Sequence, residues 1–247
     1  GRFPCVRLRK IFRQQEGSGI IWLSHQIADD EFEDFSGHDV RFLPCGNYEV
    51  CDTVCDQVRK AMSAGYTMTD VQVLAPKYNG SSGIDALNRC LQEVLNPASG
   101  NKRELRLGIR TFREGDKILQ LKNQPDQNVF NGDIGFITAV EADHLTVKFS
   151  EDLEVDYEKN ELTELQLAYA MSVHKSQGSE YPVIILPLTA GHYIMLQRNL
   201  LYTAVTRASK QVILLGTKAA LNTAVENDRT RKRYTLLAER LAGALNE

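Results

Sequence analysis

The chain has 247 residues, of which 43% are hydrophobic and 8% aromatic, enough apolar material for a full core. A charged fraction of 25% and the lack of any apolar run near about 18 residues exclude a membrane-spanning helix, and no signal-peptide pattern begins the chain. The net charge of −3 lacks the basic excess of many nucleic-acid-binding proteins. The charge is uneven, however: basic residues are concentrated at positions 2–13 and acidic residues at 151–164. A local basic channel that binds nucleic acid is therefore compatible with the negative net charge.

Five cysteines without paired metal-ligand spacing favour free thiols in a reducing cytoplasm over a zinc site. We therefore expect a cytoplasmic protein with no bound metal of its own. Because the first residue is not Met, we also expect the chain to be part of a longer protein.

Helix and strand patterns alternate along the first hundred residues. Apolar residues recur with helical spacing in three segments, and short Val-rich runs predict strands between them. The predicted strands are 5–8, 40–43 and 71–75, and the predicted helices are 19–29, 48–64 and 84–95, with Ser18 as an N-cap.

The pattern changes to period two between residues 105 and 164. Leu145, Val147 and Phe149 alternate with polar residues, and turn signals recur at 114–116, 131–133 and 141–143. This pattern predicts a small antiparallel barrel. Because helix and strand patterns resume at 165, we predict that 105–164 is inserted into a discontinuous domain of 1–104 and 165–247.

The second half centres on a polar loop between two apolar runs. Strands are predicted at 167–173 and 183–188, and the loop between them reads HKSQGSE. Further segments follow: a helix at 194–208, a strand at 212–215, and helices at 218–225 and 229–245.

Several motifs of this chain occur in the same order in RecD-like DNA helicases of superfamily 1, and the chain resembles that family over nearly its whole length. The motifs are FRQ at 12–14, VLAPKYNGSSGIDALN at 73–88, FNGDIG at 130–135, YAMSVHKSQGSEYP at 169–182 and LLYTAVTRA at 200–208. The resemblance implies an α/β fold: a RecA-like parallel sheet, the second motor domain, with an inserted SH3-like barrel. It also implies ATP-driven 5′-to-3′ translocation along single-stranded DNA. Some family members are subunits of a bacterial exonuclease used in recombination and repair.

The same resemblance implies roles for residues near a shared nucleotide. Arg207 and Arg13 match the family's arginines, which supply positive charge to a transferring phosphoryl group. Matching positions imply that Gln14, Gln177, Gly178 and Glu180 contact ATP, with Gln177 able to serve either ligand. For each arginine the alternative is a surface salt bridge worth about 0–1 kcal/mol.

A second set of residues is implied to contact DNA. Its members are Ser172, His174, Lys175, Lys77, Asn88 and Asn131. Four of them have a structural alternative: His174 as a core histidine, Lys77 and Asn88 as ordinary solvated residues, and Asn131 as a type I′ turn residue. Contacts of this kind position a strand without reading its sequence.

The sequence has no G-x-x-x-x-G-K-[ST] motif and no strand ending in the acidic pair that holds Mg²⁺. In the family these belong to the first motor domain, so ATP with Mg²⁺ is expected to be shared with that domain. The alternative is a non-catalytic module that binds nucleic acid or protein. A stand-alone hydrolase is disfavoured because no G-x-S-x-G motif occurs.

Overall fold

The structure is a computed structural model, and the residues it describes are 17–29, 37–228, 236, 239–240 and 243. The helices of this part are α1 (Gly19–Asp29), α2 (Val50–Ser63), α3 (Ile84–Leu95), α4 (Arg198–Val205) and α5 (Lys218–Glu226). Its strands are β1 (Val40–Pro44), β2 (Val71–Ala75), β3 (Glu104–Leu107), β4 (Arg110–Arg113), β5 (Lys117–Gln120), β6 (Ile134–Val140), β7 (His144–Ser150), β8 (Leu153–Glu158), β9 (Leu165–Leu167), β10 (Ala170–Ser172), β11 (Tyr181–Leu188) and β12 (Ala208–Gly216). Among these helices none has the length and apolarity that a bilayer crossing requires.

Five strands form a parallel sheet in the order β1-β12-β11-β2-β10. Alternate side chains of β11 pack on opposite faces of this sheet: Val183 and Ile185 join the core beneath α2 and α3, whereas Ile184 and Leu186 join the core beneath α1, α4 and α5. Because both faces are covered, these strands are apolar throughout. This architecture agrees with the RecA-like parallel sheet that the resemblance implies.

The inserted segment forms an antiparallel sheet in the order β8-β7-β6-β5-β9, and β3 and β4 form a separate hairpin. Its apolar residues, such as Phe112, Leu145 and Val147, belong to the same core as α2 and α3. The insert therefore packs mainly on this helical layer, while Leu119 of β5 joins the core beneath α1, α4 and α5.

Two predicted elements are wrong in their extent. The apolar run 167–173 is two short strands, β9 and β10, because β9 pairs with β5 of the insert while β10 pairs with β2. The inserted sheet thus takes in Leu165–Leu167, beyond the predicted boundary at 164. The helix predicted at 194–208 begins only at Arg198, after a 3₁₀ helix at Ala190–Met195.

The remaining predicted bounds in the described part agree with the structure to within two residues, except that the strand predicted at 212–215 extends over Ala208–Gly216. Helices α1 and α3 and strand β2 have the predicted bounds. Ser18 accepts a hydrogen bond from the Ile20 N–H (3.1 Å), as an N-cap does. The predicted strand 5–8 and most of the predicted helix 229–245 lie outside the described residues.

Candidate functional site

Described members of the two predicted sets of site residues lie at opposite edges of the parallel sheet. Ser172, at the end of β10, is level with Ala75 at the end of β2, so this set lies at the carboxyl edge. Tyr181, which follows the HKSQGSE loop, begins β11 beside Ala208 at the start of β12, so Gly178 and its neighbours lie at the amino edge. The nucleotide and the DNA are thereby predicted at different ends of one sheet.

The amino edge carries a tight turn from Ser176 to Ser179. The Ser179 N–H donates to the Ser176 carbonyl at 3.1 Å. Gln177 has φ −63° and ψ 132°, and Gly178 has φ +88°, which is the geometry of a type II turn. Nothing lies within 4 Å of a Cβ placed at Gly178, so the backbone conformation, and not crowding, favours glycine there.

Arg207 lies beside this turn, just after α4. Its Nη1 donates to the Ser179 carbonyl at 3.2 Å and its Nε to the Thr203 carbonyl at 3.3 Å. The Tyr181 N–H in turn donates to the Arg207 carbonyl at 3.0 Å. The half-buried Arg207 therefore lies next to the segment that contains Gly178 and the exposed Glu180. Arg13 and Gln14 lie outside the described residues.

The carboxyl edge brings together two residues that the sequence predicts as DNA contacts from distant segments. Ser172 caps the 3₁₀ helix Val173–Ser176, accepting from the Lys175 N–H at 3.4 Å. The Lys175 ammonium donates to the Asn131 side chain, 44 residues away in the insert. His174 is exposed beside them, not buried as a core histidine would be.

Asn131 does not adopt the predicted type I′ conformation. That turn requires positive φ at both central residues, and among the described non-glycine residues only Asn128 has a positive φ. The Asp133 N–H donates to the Phe130 carbonyl at 3.0 Å, and Gly132 has φ +109°. This pattern fits a type II turn, which leaves the Phe130 ring 45% exposed next to Asn131.

Lys77 is exposed on the loop after β2, at the same edge. The Lys77 carbonyl accepts from the Ile84 N–H at 2.9 Å, which closes the loop onto the start of α3. A Cβ on Gly83 would lie 2.3 Å from the Tyr78 carbonyl oxygen, so only glycine fits where the loop returns.

Asn88 does not belong to the DNA-facing set. Its side chain is 3% exposed, donates to the Ala170 carbonyl at 2.9 Å and accepts from the Ala170 N–H at 2.8 Å. Both polar groups are used to fix β10 against α3. The prediction of a DNA contact is corrected to a structural role, because the amide is almost completely buried and both of its polar groups already bond the backbone of Ala170.

A buried carboxylate in the predicted turn 114–116 lies at the junction between the insert and the motor sheet. Asp116 is fully buried and accepts from Gln92 Nε2 (2.6 Å), Asn96 Nδ2 (2.7 Å), the Arg113 N–H (2.7 Å) and the Tyr169 hydroxyl (2.9 Å). Burial raises the pKa of Asp116, although these four donors favour its charged form. A Glu-Gly-Asp sequence gives no local sign of this role.

The next residue, Lys117, is also buried. Its ammonium donates to the Met68 carbonyl (2.7 Å) and to Gln72 Oε1 (2.9 Å) on the motor side. Burial lowers the pKa of Lys117 to about 7. Asp116 and Lys117 therefore fix the start of β5 to α3 and β2 through buried polar contacts.

The four described cysteines have free thiols; Cys45 and Cys55 are buried, whereas Cys51 and Cys90 are half-buried. Burial raises the pKa of Cys51 to about 12 and that of Cys55 to about 11, which keeps both protonated. Within the described ranges, no three His, Cys, Asp or Glu side chains are grouped to hold a metal ion.

Comparisons with known proteins agree with this architecture. Residues 87–149 match the family model of the ATP-dependent RecD-like DNA helicase SH3 domain, and residues 167–215 match that of the UvrD-like helicase C-terminal domain. The first match overlaps the insert, and the second covers the strands that bracket Gly178 and Arg207.

Curated relatives match a part of their own length. An ATP-dependent RecD2 DNA helicase of Deinococcus radiodurans is 33% identical over 96% of this chain and 32% of its own. A RecBCD enzyme subunit RecD of Mycolicibacterium smegmatis is 31% identical over 72% of this chain and 30% of its own. The chain thus spans about a third of the length of these relatives.

Solved structures share the fold. A Pif1 helicase from Bacteroides, solved with ADP-AlF3 and single-stranded DNA, superposes with a TM-score of 0.55 at 16% identity, covering 97% of this chain and 57% of that one. The Pif1 helicase of Candida albicans gives 0.53 at 14% identity, over 96% and 60% of the two chains.

Proposed function

We propose that this chain, which belongs to the RecD-like helicases of superfamily 1, is the C-terminal motor region of an ATP-dependent DNA helicase. In this proposal the parent protein moves 5′-to-3′ along single-stranded DNA in cytoplasmic recombination or repair. A first motor domain of the same parent holds ATP with Mg²⁺. Other exonuclease subunits are further partners if the parent works in a complex.

The observation that carries the proposal is the position of Arg207. Two backbone carbonyls, of Ser179 and Thr203, hold its guanidinium beside the turn of Gly178. A cation fixed in this way needs little reorganisation when negative charge builds on a transferring phosphoryl group. A Cβ placed at Gly178 would have no atom within 4 Å, so the space directly beside this residue is open. Gln177 and Glu180 are exposed on the same turn.

ATP bound between the two motor domains would supply the phosphoryl transfer chemistry. Within this chain, Gln177, Gly178 and Glu180 would hold the nucleotide and Arg207 would face its phosphates. Arg13 and Gln14 stay predicted members of the same site. Because the sequence lacks a P-loop, we expect the purified 247-residue chain to hydrolyse ATP negligibly, and rapid turnover by it would contradict the shared-site proposal.

The test uses the full-length parent. Arg207→Ala should lower ATP hydrolysis by about 10³–10⁵-fold while nucleotide binding stays largely intact, the range known for arginines that stabilise phosphoryl transfer. Arg59→Ala is the matched control, since Arg59 is exposed and pairs with Asp56 on α2. Unchanged turnover by the Arg207 variant would remove Arg207 from this role.

A further inference from the structure

Three of the exposed aromatic side chains follow strands of the parallel sheet at its carboxyl edge. Tyr48 follows β1 and is 94% exposed, Tyr78 follows β2 and is 41% exposed, and Tyr193 follows β11 and is 68% exposed. By contrast, Tyr157, Tyr169 and Tyr181 are buried. Exposed rings at one edge contribute little to the core, so their shared position needs another explanation.

The three loops that carry these tyrosines are in contact. Ser82 Oγ in the loop of Tyr78 lies 3.2 Å from Thr189 Oγ1, which begins the loop of Tyr193. Cys51 Sγ, three residues after Tyr48, donates to the Ser81 carbonyl at 3.4 Å. In addition, His192 Nε2 lies 3.1 Å from Ser82 Oγ in a buried contact. The loops therefore form one surface and not three separate tips.

The order of the strands turns this surface into a row. Because β1, β12, β11 and β2 are neighbours in that order, three strand spacings, roughly 14 Å, separate the strands that precede Tyr48 and Tyr78. Tyr193 follows a strand between them. Beyond β2 the same edge continues to β10, which precedes Lys175.

Cations accompany the row. Lys77 adjoins Tyr78, Lys218 follows β12, and Lys175 follows β10, with Lys77 and Lys218 both exposed. Aromatic rings beside cations are the combination by which proteins bind single-stranded nucleic acid without sequence preference: the rings stack on bases and the cations contact phosphates. An apolar protein partner would not require flanking lysines.

We propose that Tyr48, Tyr193 and Tyr78 form a stacking row for the bases of single-stranded DNA at the carboxyl edge of the sheet. This rests on the proposed function and adds a mode of contact to it. The lysines position the backbone, and the tyrosines hold the bases of whichever sequence passes. The row therefore contributes affinity that depends on the presence of bases but not on their identity.

The test compares two probes on the 247-residue chain: an oligo-dT strand and an abasic strand of the same length. Replacing Tyr48 or Tyr193 by Ala should weaken binding of oligo-dT by about 5- to 150-fold for each stacked base. Binding of the abasic strand should not change. Trp22→Ala is the matched control, because Trp22 is an exposed aromatic residue (51%) on α1, outside the strand-end loops.

A spectroscopic measurement gives a second readout that a change in stability would not mimic. Trp22 is the one tryptophan of the chain, so Tyr193→Trp in a Trp22→Phe background places a single reporter in the row. Oligo-dT should quench its fluorescence, and the abasic strand should leave it nearly unchanged.

Equal loss of affinity for both probes in the tyrosine variants would overturn the stacking row, as would no loss for either. Lys175→Ala, measured in the same assay, separates this failure from failure of the proposed function. If that variant weakens binding while the tyrosine variants do not, the chain still contacts phosphates and only the row is wrong. If the chain binds neither probe at all, both proposals fail.

Discussion

The two edges of the parallel sheet are built in different ways. At the amino edge Arg207 is fixed by two backbone carbonyls, and the turn beside it has a backbone conformation that favours Gly178. At the carboxyl edge Tyr48 and Tyr193 are largely exposed, and Lys175 is held by one side-chain contact. A group that acts on a transferring phosphoryl requires a fixed position, whereas a surface that follows a strand of changing sequence must adapt.

The two edges also differ in the segments of the chain that supply their contacts. The amino-edge contacts of Arg207 lie within the segments from β10 to β12. The carboxyl edge extends into the insert through the contact between Lys175 and Asn131. The position of the insert is in turn fixed by the buried polar residues Asp116 and Lys117. Changes at this junction should therefore affect the carboxyl edge first.

The largest effect is expected from Asp116→Ala. The substitution leaves buried donors on Gln92, Asn96 and Tyr169 without their acceptor, and we expect the free energy of unfolding to fall by about 3–5 kcal/mol. Urea unfolding of the 247-residue chain measures this change. Asp143→Ala is the matched control, because Asp143 is an exposed aspartate of the same insert. A loss below about 1 kcal/mol would mean that the junction is not held by this carboxylate.

The second prediction concerns pH and Lys117. Burial lowers the pKa of Lys117 from 10.5 to about 7 in the folded protein, so between pH 7 and 10.5 the unfolded chain binds more protons than the folded one. Stability contributed by this group must then rise with pH across that window, by up to about 1.4 kcal/mol per pH unit. The gain is absent below pH 7, where both states are protonated.

The measurement compares the native chain with Lys117→Met by urea unfolding at pH 7, 8 and 9. Other groups, including the cysteines, titrate in both proteins and cancel in the difference. We expect the native chain to gain about 2–3 kcal/mol relative to the variant between pH 7 and pH 9. A constant difference would show that Lys117 stays charged in the fold, held by its carbonyl acceptors.

The sequence predicts the elements whose signals are local and misses those set by distant partners. Helix α3 and strand β2 have the predicted bounds because the helical spacing and the following Pro76 are local signals. The apolar run 167–173 has no signal for its division, since its two halves pair with β5 and β2, far away in the chain.

The same distinction applies to the candidate site. The motifs around Gly178 and Arg207 predict a shared nucleotide edge, and the described contacts bring them together. The resemblance implies a DNA contact for Asn88, and the local sequence predicts only a turn at Asp116. Their actual surroundings come from β10, α3 and the insert, which no local pattern records.

A smaller effect is expected from Gly178→Ala, which tests the fixed amino edge. Alanine at φ +88° is strained, and we expect the free energy of unfolding to fall by about 1–2 kcal/mol. Gly100→Ala is the matched control, because Gly100 has open space around it and no positive φ. Single-strand affinity of the chain should stay the same, whereas ATP turnover of the full-length parent should fall. A loss of single-strand affinity would contradict the separation of the two edges.

The smallest expected effect separates charge from polarity at the carboxyl edge. Lys175 and Asn131 contact each other, yet only the lysine has a positive charge with which to neutralise a phosphate. Lys175→Ala should therefore make the slope of log affinity against log salt less steep by about 0.7, the value for one phosphate contact on a single strand. Asn131→Ala should leave that slope unchanged even if it weakens binding.

Arg207→Ala, at the other edge, should change neither the slope nor the affinity of the 247-residue chain. If Arg207→Ala lowers the slope as much as Lys175→Ala, the strand passes the amino edge as well, and the assignment of one ligand to each edge is wrong.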